Sequence, residues 1–224
     1  MTDAGTGTFQ RWVLPLLGLA LAFGLPALPL GHWLSPGDGL GARIGREAIW
    51  WGIGTLILAW VFFAERRPLS SIGLKPPNWL SLAWAIGGAI LLMASVMLSY
   101  AVIFPVLGLK MNMAAVASIT HVPLWLQTAT MVRAGVVEEI LFRGYAIERL
   151  WTLSGSKWLA ATVSAAAFIA IHISSWGYSQ LIVVAFGALI LSLLYLFRRD
   201  LASNMGAHFL TDFVGFMLAR LQGA

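Results

Sequence analysis

The sequence predicts an all-α protein, a polytopic transmembrane helical bundle of about seven spans (six to eight). Three observations carry that expectation. Only 10% of the 224 residues are charged and 59% are hydrophobic, whereas a soluble domain carries about 25% charge; this chain could not cover its own surface in water. Its mean hydropathy is +0.84. Apolar runs of the roughly 20 residues needed to cross a bilayer recur along the whole chain, with short connectors between them. The eleven tryptophans suit interfacial belts, as at Trp50, Trp51 and Trp79. There is no cysteine, which removes disulfides, thiolate metal sites and cysteine nucleophiles together. The net charge of +5 belongs to residues lying between apolar runs, so it reads as membrane topology and not as nucleic-acid binding.

The spans are expected near 11–34, 47–64, 79–107, 122–150, 157–175, 179–197 and 201–221. The first follows Arg11 as "WVLPLLGLALAFGLPALPL", too long for a signal-peptide core and with no small-residue cleavage site in "LGHWLSPGDG", so it is expected as a retained span. "SPGDGLGARIGRE" leads to the second and "ERRPLSSIGLKPPN" to the third, which exceeds the minimum length and so predicts tilt or a kink. "GLKMNM", "SGSK" and "RRD" separate later spans. No internal repeat is visible, which predicts a single integral membrane domain over 1–224 with a catalytic core at about 122–221. Arg11, Arg66, Arg67, Lys75, Arg149, Lys157, Arg198 and Arg199 fall on one side, against Arg43, Arg46, Lys110 and Arg220 on the other. That asymmetry favours a cytoplasmic N-terminus.

The fourth span carries "VVEEILFRGY", residues 136–145. Charges at the centre of a span cost roughly 2.5–3.5 kcal/mol each on insertion scales and are usually functional. In an α-helix Glu139 sits over Arg143, four residues on, and pairs with it. Glu138 lies about 100° round the helix with no partner on its own turn, so it is expected to be the free carboxylate. His172 has Phe168 one turn before it on the same face, and His208 has Asp212 one turn after it. Counted at 1.5 Å per residue from the cytoplasmic ends, Glu138, His172 and His208 lie about 18, 22 and 11 Å deep, close enough to share one cavity. These are the parts of a hydrolase: Glu138 to take a proton from water, His172 to position that water, His208 with Asp212 to stabilise an oxyanion. No serine nucleophile stands beside them. The same set offers an alternative, zinc held by Glu138, His172 and His208. His32 and His121 sit at span edges and read as interfacial. Arg133, about one and a half turns before Glu138, either snorkels outward or pairs inside the bundle.

These residues carry a resemblance. "EEILFR", "FIAIH" and "HFLTD" resemble the EExxxR, FxxxH and HxxxN/D motifs of the CAAX-protease and bacteriocin-processing (CPBP) family, intramembrane proteases related to the eukaryotic Ras-converting prenyl protease and also described as the Abi family. "PLSSIGLKPP", "RGYAIERL" and "FGALILSLLYLFRRDLASNMGAHFLTDF" agree, so the resemblance covers 65–215 loosely and 136–212 well. It implies Glu138 as the water-activating glutamate, His172 as its helper, His208 and Asp212 on the oxyanion side, and Glu139, Arg143 and Phe168 in support. Asp212 departs from the asparagine common there. An ionised aspartate cannot donate to an oxyanion, so Asp212 must be protonated or act by orienting His208. The implied function is an intramembrane endopeptidase of a bacterial inner (cytoplasmic) membrane, hydrolysing a peptide bond in a membrane-associated peptide or protein without a cofactor, zinc being the alternative. Its partners would be that substrate and the lipid bilayer, with no nucleic acid. Two other classes fit less well: a non-cleaving peptide-binding or bacteriocin-immunity protein of the same fold, and a transporter, for which the internal symmetry is missing.

Overall fold

A computed structural model describes residues 9–223. Among them every regular element is helical. A π-helical turn, Phe9–Val13, enters α1, Leu14–Ala27. The first span was expected to reach 34 but stops at Ala27, because Leu28 precedes Pro29 and the proline ring drives it into an extended conformation (φ −83°, ψ 145°). A separate short helix, α2, takes Leu30–Leu34. The second span, α3, is Leu40–Ala64, starting seven residues before the expected 47. α4 is Trp79–Leu107, opened by a capping box in which Asn78 Oδ1 accepts from the amides of Leu80 and Ser81 at 2.9 and 3.1 Å. A short helix expected as loop, α5, takes Met113–Thr120, with Asn112 Oδ1 accepting from Ala115 N at 3.1 Å.

The charged fourth span, α6, runs without a break through Leu124–Arg133, Ala134–Ile147 and Glu148–Ser154. Its middle section is a π-helix, whose backbone bonds reach five residues back and not four. α7 is Lys157–Trp176, α8 is Leu181–Arg198 and α9 is Leu201–Leu221. Among the described residues, α3, α4, α7 and α8 are long and apolar enough to cross a membrane by composition alone. α6 is not among them because of its charges, and α9 because Asn204, His208 and Asp212 make it less apolar.

α6 occupies the centre. Of Ala134–Ile147 all but Val136 are buried, packed against residues of α1, α3, α7, α8 and α9. α4 lies outside α9 and turns Leu82, Ile90 and Met97 outward, each more than 60% exposed, as a lipid-facing helix does. Polar ties close both ends. At one end Glu65 accepts from Tyr145 Oη (2.7 Å) and Arg149 Nε (2.8 Å), and Glu148 accepts from Tyr195 Oη (3.0 Å) and Arg199 Nε (2.8 Å). At the other end Arg43 Nη1 donates to Ser118 O (2.6 Å), and Arg220 Nη1 to Val122 O (2.7 Å) and Gln127 Oε1 (2.9 Å). Arg149 and Arg199 thus gather at one end and Arg43 and Arg220 at the other, the grouping that the loop charges predict.

Candidate active site

Two glycines let α6 approach its neighbours closely enough to build a site. A Cβ on Gly135 would lie 3.0 Å from both Met205 O and Phe209 N of α9. One on Gly144 would lie 2.8 Å from Ile72 O and from Leu201 Cδ1. With backbone against backbone, short acidic side chains on α6 reach α9 directly.

Glu139 is fully buried and is the hub. Its Oε1 accepts from Arg143 Nη1 at 2.8 Å and faces His208 Nδ1 at 2.9 Å, while its Oε2 accepts from Asn204 Nδ2 at 3.1 Å. The Glu139–Arg143 pair is the one expected from the four-residue spacing. Arg143 also lies over Phe168, 4.3 Å from the ring centroid, a cation–π contact that stabilises a guanidinium shut away from water. His208 Nε2 lies 3.5 Å from Asp212 Oδ2. His208 therefore stands between two carboxylates, Nδ1 within hydrogen-bond distance of Glu139 and Nε2 facing Asp212 without a hydrogen bond to it.

Glu138 differs from expectation. It is not a free carboxylate: Arg133 Nη1 donates to its Oε1 at 2.8 Å. The expectation assumed α-helical geometry, in which residues five apart diverge; the π section begins at Ala134 and brings the fifth residue back to the same face. Arg133 accordingly pairs inside the bundle and does not snorkel. Its Nε donates to Glu47 Oε2 at 3.1 Å, and its guanidinium stacks 5.0 Å from the Trp50 ring centroid.

The other oxygen of Glu138, Oε2, faces His172 Nε2 across 3.9 Å. His172 Nδ1 lies 2.7 Å from the Phe168 carbonyl oxygen. A carbonyl only accepts, so Nδ1 carries the proton and Nε2 of the neutral ring presents a lone pair toward Glu138. The Phe168 ring lies 4.4 Å from the His172 ring, between it and Arg143. The 3.9 Å gap is too long for a direct hydrogen bond, yet one water at about 2.8 Å can touch both atoms, donating a proton to each.

The adjacent glutamates thus each face a histidine from a different helix, Glu138 with His172 of α7 and Glu139 with His208 of α9. Every predicted site residue lies in this assembly. The reading from sequence missed Asn204, Glu47, Trp50 and the partnership of Arg133. Asn204 had a signal, since it precedes His208 by four residues on the stripe that continues to Asp212. Glu47 and Trp50 had none, being on α3. Among the described residues no group of three or more His, Asp or Glu is arranged to hold a metal ion. Both Nδ1 atoms are committed, and the Nε2 atoms face different acids.

Residues 120–214 match the family model described as Rce1-like, Type II CAAX prenyl endopeptidase Rce1-like. That stretch contains Arg133, Glu138, Glu139, Arg143, Phe168, His172, Asn204, His208 and Asp212. No curated protein and no solved structure matches the chain.

Proposed function

We propose, from the match of residues 120–214 to the Rce1-like family of CAAX proteases, an intramembrane endopeptidase that hydrolyses a peptide bond with water activated by Glu138 and His172. The observation that carries this reading is the Glu138–His172 gap of 3.9 Å, with the imidazole locked by Phe168 O so that Nε2 faces the gap.

A water held there loses a proton to Glu138 Oε2 while its oxygen bonds to the substrate carbonyl carbon. The carbonyl π pair moves onto its oxygen, where an N–H of His208 stabilises it. The intermediate collapses with cleavage of the C–N bond, and the proton on Glu138 passes to the departing nitrogen. The products are a carboxylic acid and an amine, and the acid's proton passes to the amine to leave a carboxylate and an ammonium. Glu139 holds His208 from one side and Asp212 from the other, so Asp212 acts by orienting and charging His208, and the reaction needs no amide donor at that position. We take the end bearing Glu65, Arg149 and Arg199 as the cytoplasmic face of a bacterial inner membrane, because the loop charges favour it.

The ion pair between Arg133 and Glu138 favours a second reading, a protein that binds a peptide without cutting it, because it occupies one oxygen of the carboxylate that would act as base. One experiment separates the two. The full chain in detergent is given a fluorogenic peptide ending in a farnesylated CAAX sequence, and the same peptide without the lipid. Glu138→Gln should lose about 100-fold or more of the cleavage rate, the usual scale for removing a general base, while remaining folded. Cleavage by Glu138→Gln at the wild-type rate would remove the hydrolase reading. Binding of the peptide by both proteins with no cleavage by either would establish the second.

A further inference from the structure

Arg133 is the costliest residue that the proposed reaction leaves unused. A guanidinium inside a spanning helix carries a penalty of several kcal/mol, and here it is only 11% exposed along its side chain. Three groups clamp it. Glu47 Oε2 accepts from Nε, Trp50 supports its face, and Glu138 Oε1 accepts from Nη1. Glu47 is itself fixed, since Thr130 Oγ1, one helical turn before Arg133, donates to its Oε1 at 2.9 Å. Among the described residues no other group accepts a hydrogen bond from Arg133.

Two simpler roles fit this geometry poorly. A receptor for an anionic substrate tail would need spare positive charge, but Arg133 already carries two carboxylates and the trio Glu47–Arg133–Glu138 is net negative. A plain tie between α3 and α6 would need only one of the two acids, and apolar packing ties helices at less cost in lipid. What the second carboxylate adds is control of Glu138. The terminal torsion of a glutamate is broad and nearly two-fold, so an unanchored carboxylate presents either oxygen to the water. With Oε1 taken by Arg133, only Oε2 faces His172.

Resting on the hydrolytic reading above, we infer that Arg133 is a positioning residue for Glu138: it selects Oε2 as the base and holds a positive charge beside the site where negative charge shifts during attack. As the O–H bond of water breaks and its proton binds Oε2, Glu138 becomes neutral. The electron pair displaced from the carbonyl leaves the negative charge on the substrate oxygen. Arg133 keeps Glu47 as its standing counter-ion through this change and so holds its place. With only Oε2 free to face the water, the carboxylate is aligned for the proton transfer itself, which raises kcat and leaves KM alone.

The test uses the full chain in detergent with the farnesylated fluorogenic peptide, and compares Arg133→Gln, Arg133→Lys, Glu47→Gln and Glu138→Gln by kcat, KM and melting temperature. Arg133→Gln should lower kcat by about 100-fold, the scale of a misplaced catalytic group, with KM within about twofold of wild type. Arg133→Lys keeps the charge without the planar fork and should recover at least about tenfold of that loss. Glu47→Gln leaves the contact with Glu138 and should keep kcat within about fivefold. A structural tie predicts otherwise: Glu47→Gln and Arg133→Gln would lose activity together, in step with their melting temperatures, and that result overturns the inference. Should Arg133→Gln fail to accumulate, Arg133→Lys decides, since kcat at the wild-type value overturns it and a fall at constant KM supports it. Glu138→Gln separates this from the parent reading. If Glu138→Gln is inactive while Arg133→Gln retains wild-type kcat, only the role of Arg133 falls; if Glu138→Gln is fully active, hydrolysis by Glu138 falls and takes the role of Arg133 with it.

Discussion

Removing Arg143 should be far more damaging to the fold than neutralising Glu138, although both residues are buried and ion-paired. Arg143 and Glu139 are 1% and 0% exposed and joined at 2.8 Å. Breaking such a buried pair by deleting one partner costs about 3–5 kcal/mol, because the other charge is left without compensation. Arg143→Met keeps roughly the length and bulk of the side chain, so the loss is chiefly electrostatic, with the Phe168 contact included. At about 2–4 °C per kcal/mol for a chain of this size, the melting temperature should fall by about 6–20 °C. Glu138→Gln leaves an amide oxygen that still accepts from Arg133, and Arg133 keeps Glu47. Its cost is that of weakening one hydrogen bond, about 0.5–1.5 kcal/mol, or about 1–6 °C. The double variant Glu139→Gln, Arg143→Met removes both charges and should regain part of the lost stability, since an absent pair costs less than a broken one. It should not regain activity, because His208 loses its anchoring carboxylate. Thermal unfolding in detergent, followed by tryptophan fluorescence, reads all of these. Equal shifts for Arg143→Met and Glu138→Gln would refute the division of the cluster into a structural and a reacting carboxylate, as would a double variant no more stable than Arg143→Met.

Three more outcomes are expected. Cysteines introduced at Ser154 and Ser118, both exposed in this cysteine-free chain, should label from opposite faces of the membrane, Ser154 from the cytoplasmic one; labelling from a single face would overturn the topology. Purified protein should contain no stoichiometric zinc and should keep its activity after prolonged chelation, and zinc-dependent loss and recovery would turn Glu138, His172 and His208 into ligands. Gly135→Ala sets a methyl 3.0 Å from two backbone atoms of α9, so α6 must move away; overpacking of this kind costs about 1–3 kcal/mol, and cleavage should fall with stability because the Glu139–His208 contact spans the same interface.

Much of the site was legible because its partners stand four residues apart. Glu139 with Arg143, Phe168 with His172 and His208 with Asp212 are all neighbours in an ordinary helix, and each pair is in contact. Composition showed the bundle equally well, since apolar runs with charged connectors admit few other folds. Boundaries were less legible. Leu28 leaves α1 because of the proline after it, although its own character is helical and apolar. The partner of Glu138 was hidden for a different reason. Helical-wheel reasoning fixes the register in advance, and here the register itself changes at Ala134. Arg133 lies on the wrong face of an α-helix and the right face of a π-helix. Glu47, 86 residues away on α3, left no trace that one sequence could show.

The charges of the site alternate along two lines. One runs Glu47, Arg133, Glu138 and then across the gap to His172; the other runs Arg143, Glu139, His208, Asp212. With His208 charged and His172 neutral, four acids face three cations, and the excess negative charge is assigned to Glu138, the acid whose second oxygen meets the water site. The proposed hydrolysis would move that one charge from Glu138 to the carbonyl oxygen and back without altering the total. The cations that must follow it are held on both sides, Arg133 by Glu47 and His208 by Glu139, so none of them has to reorganise as the charge moves. In a medium where water cannot supply compensating dipoles, a frame already polarised for the intermediate is the economical way to run this chemistry. On the proposed mechanism, that is why a membrane protein with so few charged residues gathers seven of its charges around the gap between Glu138 and His172.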